Sequence, residues 1–124
     1  FGCVFKQIGT AFLRCVEADV GEAHRVALSG TSDDSTVVTN VFTGRPARFV
    51  ENELIRSLHS IDPLPFAAQA AWTEPLDETG NPELGLLYSG QAVALTREMP
   101  AADLIETLAR ETDSVLREWR EQTL

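Results

Sequence analysis

Gly9 and Thr10 are the residues of this chain whose types and placing best suit chemistry. They lie in Gln7-Ile8-Gly9-Thr10-Ala11-Phe12-Leu13, after the apolar entry Cys3-Val4-Phe5. A helical pattern begins near Glu17, so the stretch reads as a buried strand, a Gly-Thr turn and a helix. Glycine has no Cβ, so its backbone admits positive φ and the close approach of a bulky ligand. Thr10 adds a hydroxyl and a backbone N–H. Together the two would hold phosphate oxygens where a strand hands over to a helix. A Gly-Thr pair after a strand is also an ordinary turn, so the pair alone does not decide between the two.

Arg45 and Arg48 lie in Thr43-Gly44-Arg45-Pro46-Ala47-Arg48, just past a β-branched run. Pro46 pushes Arg45 extended, and Gly44 permits a sharp turn before it. Guanidinium groups leaving such a turn can reach carboxylates or phosphates. Bracing of the turn against acidic helices of the same chain is the plainer expectation. Tyr88 and Gln91 flank Ser89-Gly90, a small-residue turn before a helix, where backbone N–H groups are exposed. They read as pocket residues, or as an amphipathic core tyrosine and a capping glutamine. His24 has no second ligand at helical spacing and reads as a surface or interface histidine. Gly-x-Ser-x-Gly is absent, and spacing alone nominates no general base, so the catalytic residues stay unknown.

The elements that must position these residues fit one small domain of 124 residues. A net charge of −9 argues against wrapping nucleic acid, which needs clustered Lys and Arg. No run approaches the length of a membrane span. Cys3 and Cys15 are too few for a disulfide scaffold and form no Cys-x-x-Cys pair. Two reduced structural thiols are expected, in a reducing, cytoplasmic compartment. The chain begins inside an apolar strand pattern, as though cut from something longer.

Periodicity places helices over residues 17–28, 52–59 and 66–72, a short one after Gln91, and a long one from Pro100. Residues 36–42 are β-branched and read as a strand. Asn52 is the expected N-cap of its helix. Leu104, Ile105, Leu108, Thr112, Val115, Leu116 and Trp119 form the stripe by which the last helix would cover apolar surface. The apolar strand at the N-terminus and residues 36–42 cannot make a stable sheet alone, so further strands are expected upstream.

Gln7-Ile8-Gly9-Thr10, then Phe42-Thr43-Gly44-Arg45-Pro46-Ala47-Arg48, then Ser89-Gly90-Gln91 before a small-residue helix occur in this order. In order and separation they resemble the C-terminal part of the nitronate monooxygenase family, formerly 2-nitropropane dioxygenases. The resemblance covers nearly the whole chain, and the Phe-Thr-Gly-Arg-Pro-Ala-Arg piece is its most specific part. It implies an α/β fold, the C-terminal part of a TIM (β/α)8 barrel with a helical extension. Residues 1–124 would be a single partial domain. The last barrel strand would lie at about 3–13, and the extension and closing helices at about 17–121. Taken alone, the chain would be helix-rich with two or three strands. The resemblance further implies an FMN-dependent oxidoreductase that oxidises alkyl nitronates with O2. A relative of the same fold is an enoyl-acyl-carrier-protein reductase using NAD(P)H; a non-catalytic truncated fragment is the other alternative. By the resemblance, Gln7, Ile8, Gly9 and Thr10 lie along the FMN phosphate and ribityl region, and Tyr88 and Gln91 border the substrate. The family's catalytic histidine belongs upstream, and neither His24 nor His59 stands in its sequence context. An upstream barrel fragment or a homodimer is the partner expected.

Overall fold

A computed structural model describes residues 8–122 of the chain. At its centre β1 (Thr36–Thr39) pairs antiparallel with β2 (Ala47–Val50), Thr36 opposite Val50 and Thr39 opposite Ala47. Around this sheet stand α1 (Gly9–Phe12), α2 (Glu22–Gly30), α3 (Glu53–Leu58), α4 (Ala68–Asp77) and α5 (Ala101–Gln122). Short 3-10 turns occupy Asp33–Ser35 and Val93–Leu95. Among the described residues no helix is long and apolar enough to cross a membrane.

The strand expected over residues 3–13 does not run through its C-terminal part, because Gly9–Phe12 is a helical turn. Residues 3–7, with Gln7, lie outside the described residues. The helix expected from Glu17 begins at Glu22. Arg25 explains the delay: its guanidinium donates to the carbonyls of Ala18 (3.1 Å) and Cys15 (3.4 Å). Tight backbone turns reach the same carbonyls, Ala18 N–H donating to Cys15 O (3.1 Å) and Val20 N–H to Ala18 O (2.9 Å), so both are satisfied without an α-helical turn.

The strand expected over residues 36–42 stops at Thr39. There the Thr39 hydroxyl accepts from the Val41 N–H at 3.2 Å, and the chain turns. Val41 and Phe42 then bury completely as part of that turn. β2 was not expected, since Pro46 and Gly44 mark its approach as a turn. Its neighbours on both sides select it. β1 takes one edge, and on the other Val50 N–H donates to Leu87 O (2.8 Å) while Ser89 N–H donates to Arg48 O (3.1 Å). A run this short becomes a strand through what pairs with it.

Helix α4 runs through Pro75 to Asp77, past the loop expected from Glu74. Its buried face is polar, which hides it from hydrophobic periodicity. Gln69 donates to Val41 O, and Thr73 Oγ1 donates to Phe42 O at 2.7 Å. Both side chains are almost fully buried. These bonds satisfy the carbonyls of the turn between β1 and β2 and hold the helix against it.

One core cluster joins Val41, Phe42, Phe49, Leu54 and Ile55, and a second joins Leu28, Val50, Leu87 and Val93. Leu13 and Ala27 pack on the second, so that cluster ties the end of α1 to α2 and the 3-10 turn. The long helix contributes only Leu104 as a fully buried side chain. Val115, Leu116 and Trp119 stay exposed, so the distal stripe does not cover this core as periodicity had suggested.

Asn52 caps α3 as expected, accepting from the Ile55 N–H at 3.2 Å. Its amide also donates to Pro82 O and Gly85 O, each at 3.0 Å. One buried side chain thus joins a helix start to the loop that leads into the Leu87–Ser89 segment along the outer edge of β2. Asn52→Ala is expected to cost about 2 kcal/mol, because the cap and two buried carbonyls lose their partner together. Urea unfolding checks this, and an unchanged midpoint would count against it.

Candidate functional site

Helix α1 is a single turn opened by Gly9 and Thr10. The leading N–H groups of such a turn have no partner inside the helix. Ile8, Gly9, Thr10 and Ala11 form one wall of a groove of about 570 Å3. Gly90 and Ala92, the Leu95-Thr96-Arg97 segment, and Leu104, Leu108 and Glu111 of α5 complete it. A Cβ added at Gly9 would meet nothing within 4 Å, so the backbone here is open to the groove.

The Thr10 hydroxyl accepts from the Gly90 N–H at 2.6 Å. This single bond joins two of the sequence segments singled out above, across eighty residues of chain. A hydroxyl carries one hydrogen and two lone pairs, so accepting here leaves its hydrogen free to donate. Gly90 is closely approached: a Cβ there would come 3.0 Å from Thr10 Oγ1. His24 supports the same strip, its Nε2–H donating to Tyr88 O at 2.8 Å. That is a structural role for an interface histidine, as its spacing suggested.

Two further contacts fix the opposite wall. Arg14 donates to Thr96 O at 3.1 Å and reaches Thr96 Oγ1 at 3.4 Å. The Glu17 carboxylate accepts from the Ala101 N–H at 3.0 and 3.2 Å. A carboxylate at the positive end of α5 is electrostatically favoured. Within the groove, Arg97 and Glu111 form a bidentate pair with distances of 2.6 and 3.2 Å. The hydrogen bond to Glu111 raises the Arg97 pKa further, and the bond from Arg97 lowers that of Glu111. The pair is therefore complete at neutral pH and is lost as acid titrates Glu111 through its lowered range.

Ile8, Gly9 and Thr10 thus meet in one groove, whereas Tyr88 and Gln91 do not line it. The Tyr88 ring lies 4.6 Å from that of Phe49 and is 44% exposed, and Gln91 is exposed. Sequence reasoning missed Arg14, Arg97 and Glu111. Nothing in their local patterns marks them: Arg97 and Glu111 are fourteen residues apart, and α5 carries many acids.

The arginines of the Thr43–Arg48 segment do brace their turn, but not against acids. The Arg45 guanidinium lies 4.0 Å from the centre of the Phe66 ring. Arg48 donates to Thr36 O at 3.0 Å and to Thr36 Oγ1 at 3.1 Å, across the sheet. Arg45→Ala should lower stability by about 0.5–1 kcal/mol, the usual worth of an exposed cation–π contact, and leave turnover alone. Thermal melting beside an activity assay checks this. A large loss of turnover at unchanged melting temperature would assign Arg45 to ligand binding instead.

Of the other reactive side chains, Cys15 is a free thiol, and burial, with Glu17 nearby, raises its pKa. It stays neutral and packs as a small apolar group. The His59 ring donates from Nδ1 to Arg56 O at 2.7 Å. Among the described residues no group of three or more His, Cys, Asp or Glu side chains could hold a metal ion.

The sequence profile of the nitronate monooxygenase family matches residues 2–111. The nitronate monooxygenase of Pseudomonas aeruginosa is 36% identical over 118 residues, covering 89% of this chain and 33% of that protein. A probable nitronate monooxygenase of Staphylococcus saprophyticus is 34% identical over 116 residues, with the same coverage of 89% and 33%. Nitroalkane oxidase from Streptomyces ansochromogenes superposes with a TM-score of 0.84 at 32% identity, over 91% of this chain and 34% of its own. FabK from Thermotoga maritima superposes at 0.69 with 25% identity, over 90% of this chain and 37% of its own. The chain spans about a third of the length of the curated relatives it matches. The structural neighbours are TIM-barrel enzymes, and this helix-rich chain with its two-stranded sheet has the fold of their C-terminal part. By profile, sequence and structure together, the chain belongs to the nitronate monooxygenase family.

Proposed function

We propose that the protein carrying this chain is an FMN-dependent oxidoreductase that oxidises alkyl nitronates with O2. Gly9 and Thr10 would hold the flavin phosphate, with Gln7 and Ile8 along the ribityl chain. The observation that carries this reading is the open backbone at Gly9 beside a Thr10 hydroxyl oriented by Gly90. The residues fit the group. Gly9 lines the groove with open space where a Cβ would stand, and Thr10 keeps a hydrogen to donate. The chemistry that FMN would supply there is redox, a route for electrons from the nitronate to O2. This chain's share is to bind and orient: backbone N–H groups of Gly9 and Thr10, and the Thr10 hydroxyl, as phosphate donors. Tyr88 and Gln91 would border the substrate, on the strip that His24 and Thr10 hold in place. The partner would be an upstream barrel segment or a second copy, with neither nucleic acid nor membrane involved. Free, buried Cys15 accords with a cytoplasmic setting.

The test is binding followed by reduction. FMN fluorescence should be quenched on titration with the protein, and anaerobic addition of an alkyl nitronate should bleach the bound flavin. Absence of quenching would sink the proposal. The likeness to FabK supports a second reading, an enoyl-thioester reductase using NAD(P)H. Rapid bleaching by NADH without nitronate would favour it. A non-catalytic fragment is the remaining alternative, and it predicts no flavin affinity at all.

A further inference from the structure

Arg97 and Glu111 line the same groove as Gly9 and Thr10, yet the flavin reading so far uses neither. The two are about half exposed, their side chains each at 47%. Their backbones are restrained: Arg14 holds the neighbouring Thr96, and the Glu17 carboxylate caps the helix that carries Glu111. The groove is otherwise built largely of apolar and small side chains, so a guanidinium here is a placed charge rather than one of many. Its planar fork suits phosphate as well as carboxylate. The bond to Glu111 uses two of its N–H groups and leaves others able to donate. Glu111 also cancels its charge, so the pair presents no net attraction to an incoming anion.

We propose that Arg97 recognises the terminal phosphate of the ligand in this groove, and that Glu111 restrains it and weakens that recognition by competing for the same guanidinium. The proposal rests on the flavin reading and deepens it. It assigns preference for a phosphorylated over an unphosphorylated flavin to one side chain.

The two partners therefore act with opposite sign. Arg97→Gln should weaken FMN binding by about tenfold, the usual loss for one charge-assisted hydrogen bond, and leave riboflavin binding unchanged. Glu111→Gln should strengthen FMN binding by about threefold and leave riboflavin unchanged, since it unmasks the guanidinium while keeping an acceptor beside it. Arg97→Lys should keep part of the preference, because charge survives but the fork does not. Titrations of the protein with FMN, with riboflavin, and with inorganic phosphate as competitor against FMN give all three readouts. Inorganic phosphate should displace FMN from the parent protein more readily than from Arg97→Gln. If the pair only braces α5, both Gln variants shift FMN and riboflavin together and in one direction, and the proposal falls. If FMN fails to bind the parent protein, the flavin reading falls first. If the parent binds FMN and Arg97→Gln does so equally well, only the role of Arg97 is lost.

Discussion

Gly9→Val is expected to lower FMN affinity by about a hundredfold while leaving the fold in place. The size follows from what the added side chain obstructs. Charge-assisted hydrogen bonds to a phosphate contribute about 1.5–3 kcal/mol each, and the valine would hold the anion away from at least one backbone donor. The fold should tolerate the change because an added Cβ at Gly9 meets no protein atom within 4 Å. Valine in a helical turn costs about 0.5 kcal/mol more than alanine, and glycine is itself a poor helix former. The Thr10–Gly90 bond lies outside the substitution and should survive. Flavin titration and thermal melting, run together, separate the outcomes. Full affinity with valine in place would mean that the phosphate lies elsewhere.

Gly44→Ala is expected to destabilise the protein by about 3–4 kcal/mol, lowering the melting temperature by more than about 10 °C. Two costs add. Gly44 has φ +75°, where an L-residue is strained by about 1–2 kcal/mol. An added Cβ would also come 2.4 Å from Leu64 O and 3.0 Å from Phe66 N, both backbone atoms that cannot swing aside. The turn would have to move away from the 64–66 segment, taking Arg45 off Phe66. Gly80 supplies the control. It has φ +68°, but a Cβ there meets nothing within 4 Å. Gly80→Ala should therefore cost only the strain, about 1 kcal/mol. Equal losses at the two glycines would show that contact with Leu64 is not what makes Gly44 necessary.

Local chemistry was readable where a residue's role depends on its near neighbours. Asn52 caps α3 through the Ile55 N–H, three residues on, so spacing alone exposed it. The start of α5 after Pro100 and the glycine in the Thr43–Arg48 turn were legible for the same reason. Roles that depend on distant partners were not. β2 exists because Leu87 and Ser89 bond to its free edge. Helix α4 extends to Asp77 with Gln69 and Thr73 bonded to strand-turn carbonyls, an arrangement without an apolar stripe to reveal it. The delayed start of α2 depends on Arg25 reaching back to Ala18.

For the site the division is the same. The residue types at Gly9 and Thr10 were enough to suggest a phosphate-binding turn, and the order of Gln7–Thr10, the more specific Phe42–Arg48 run and Ser89-Gly90-Gln91 suggested the family. That Thr10 and Gly90 share a hydrogen bond, and that Arg97 and Glu111 stand in the groove they border, was decided only when the chain closed on itself. A short-range pattern records what the backbone needs within a few residues. A groove is made by surfaces that meet after folding, and burial against β2 and α5 chooses which side chains face it.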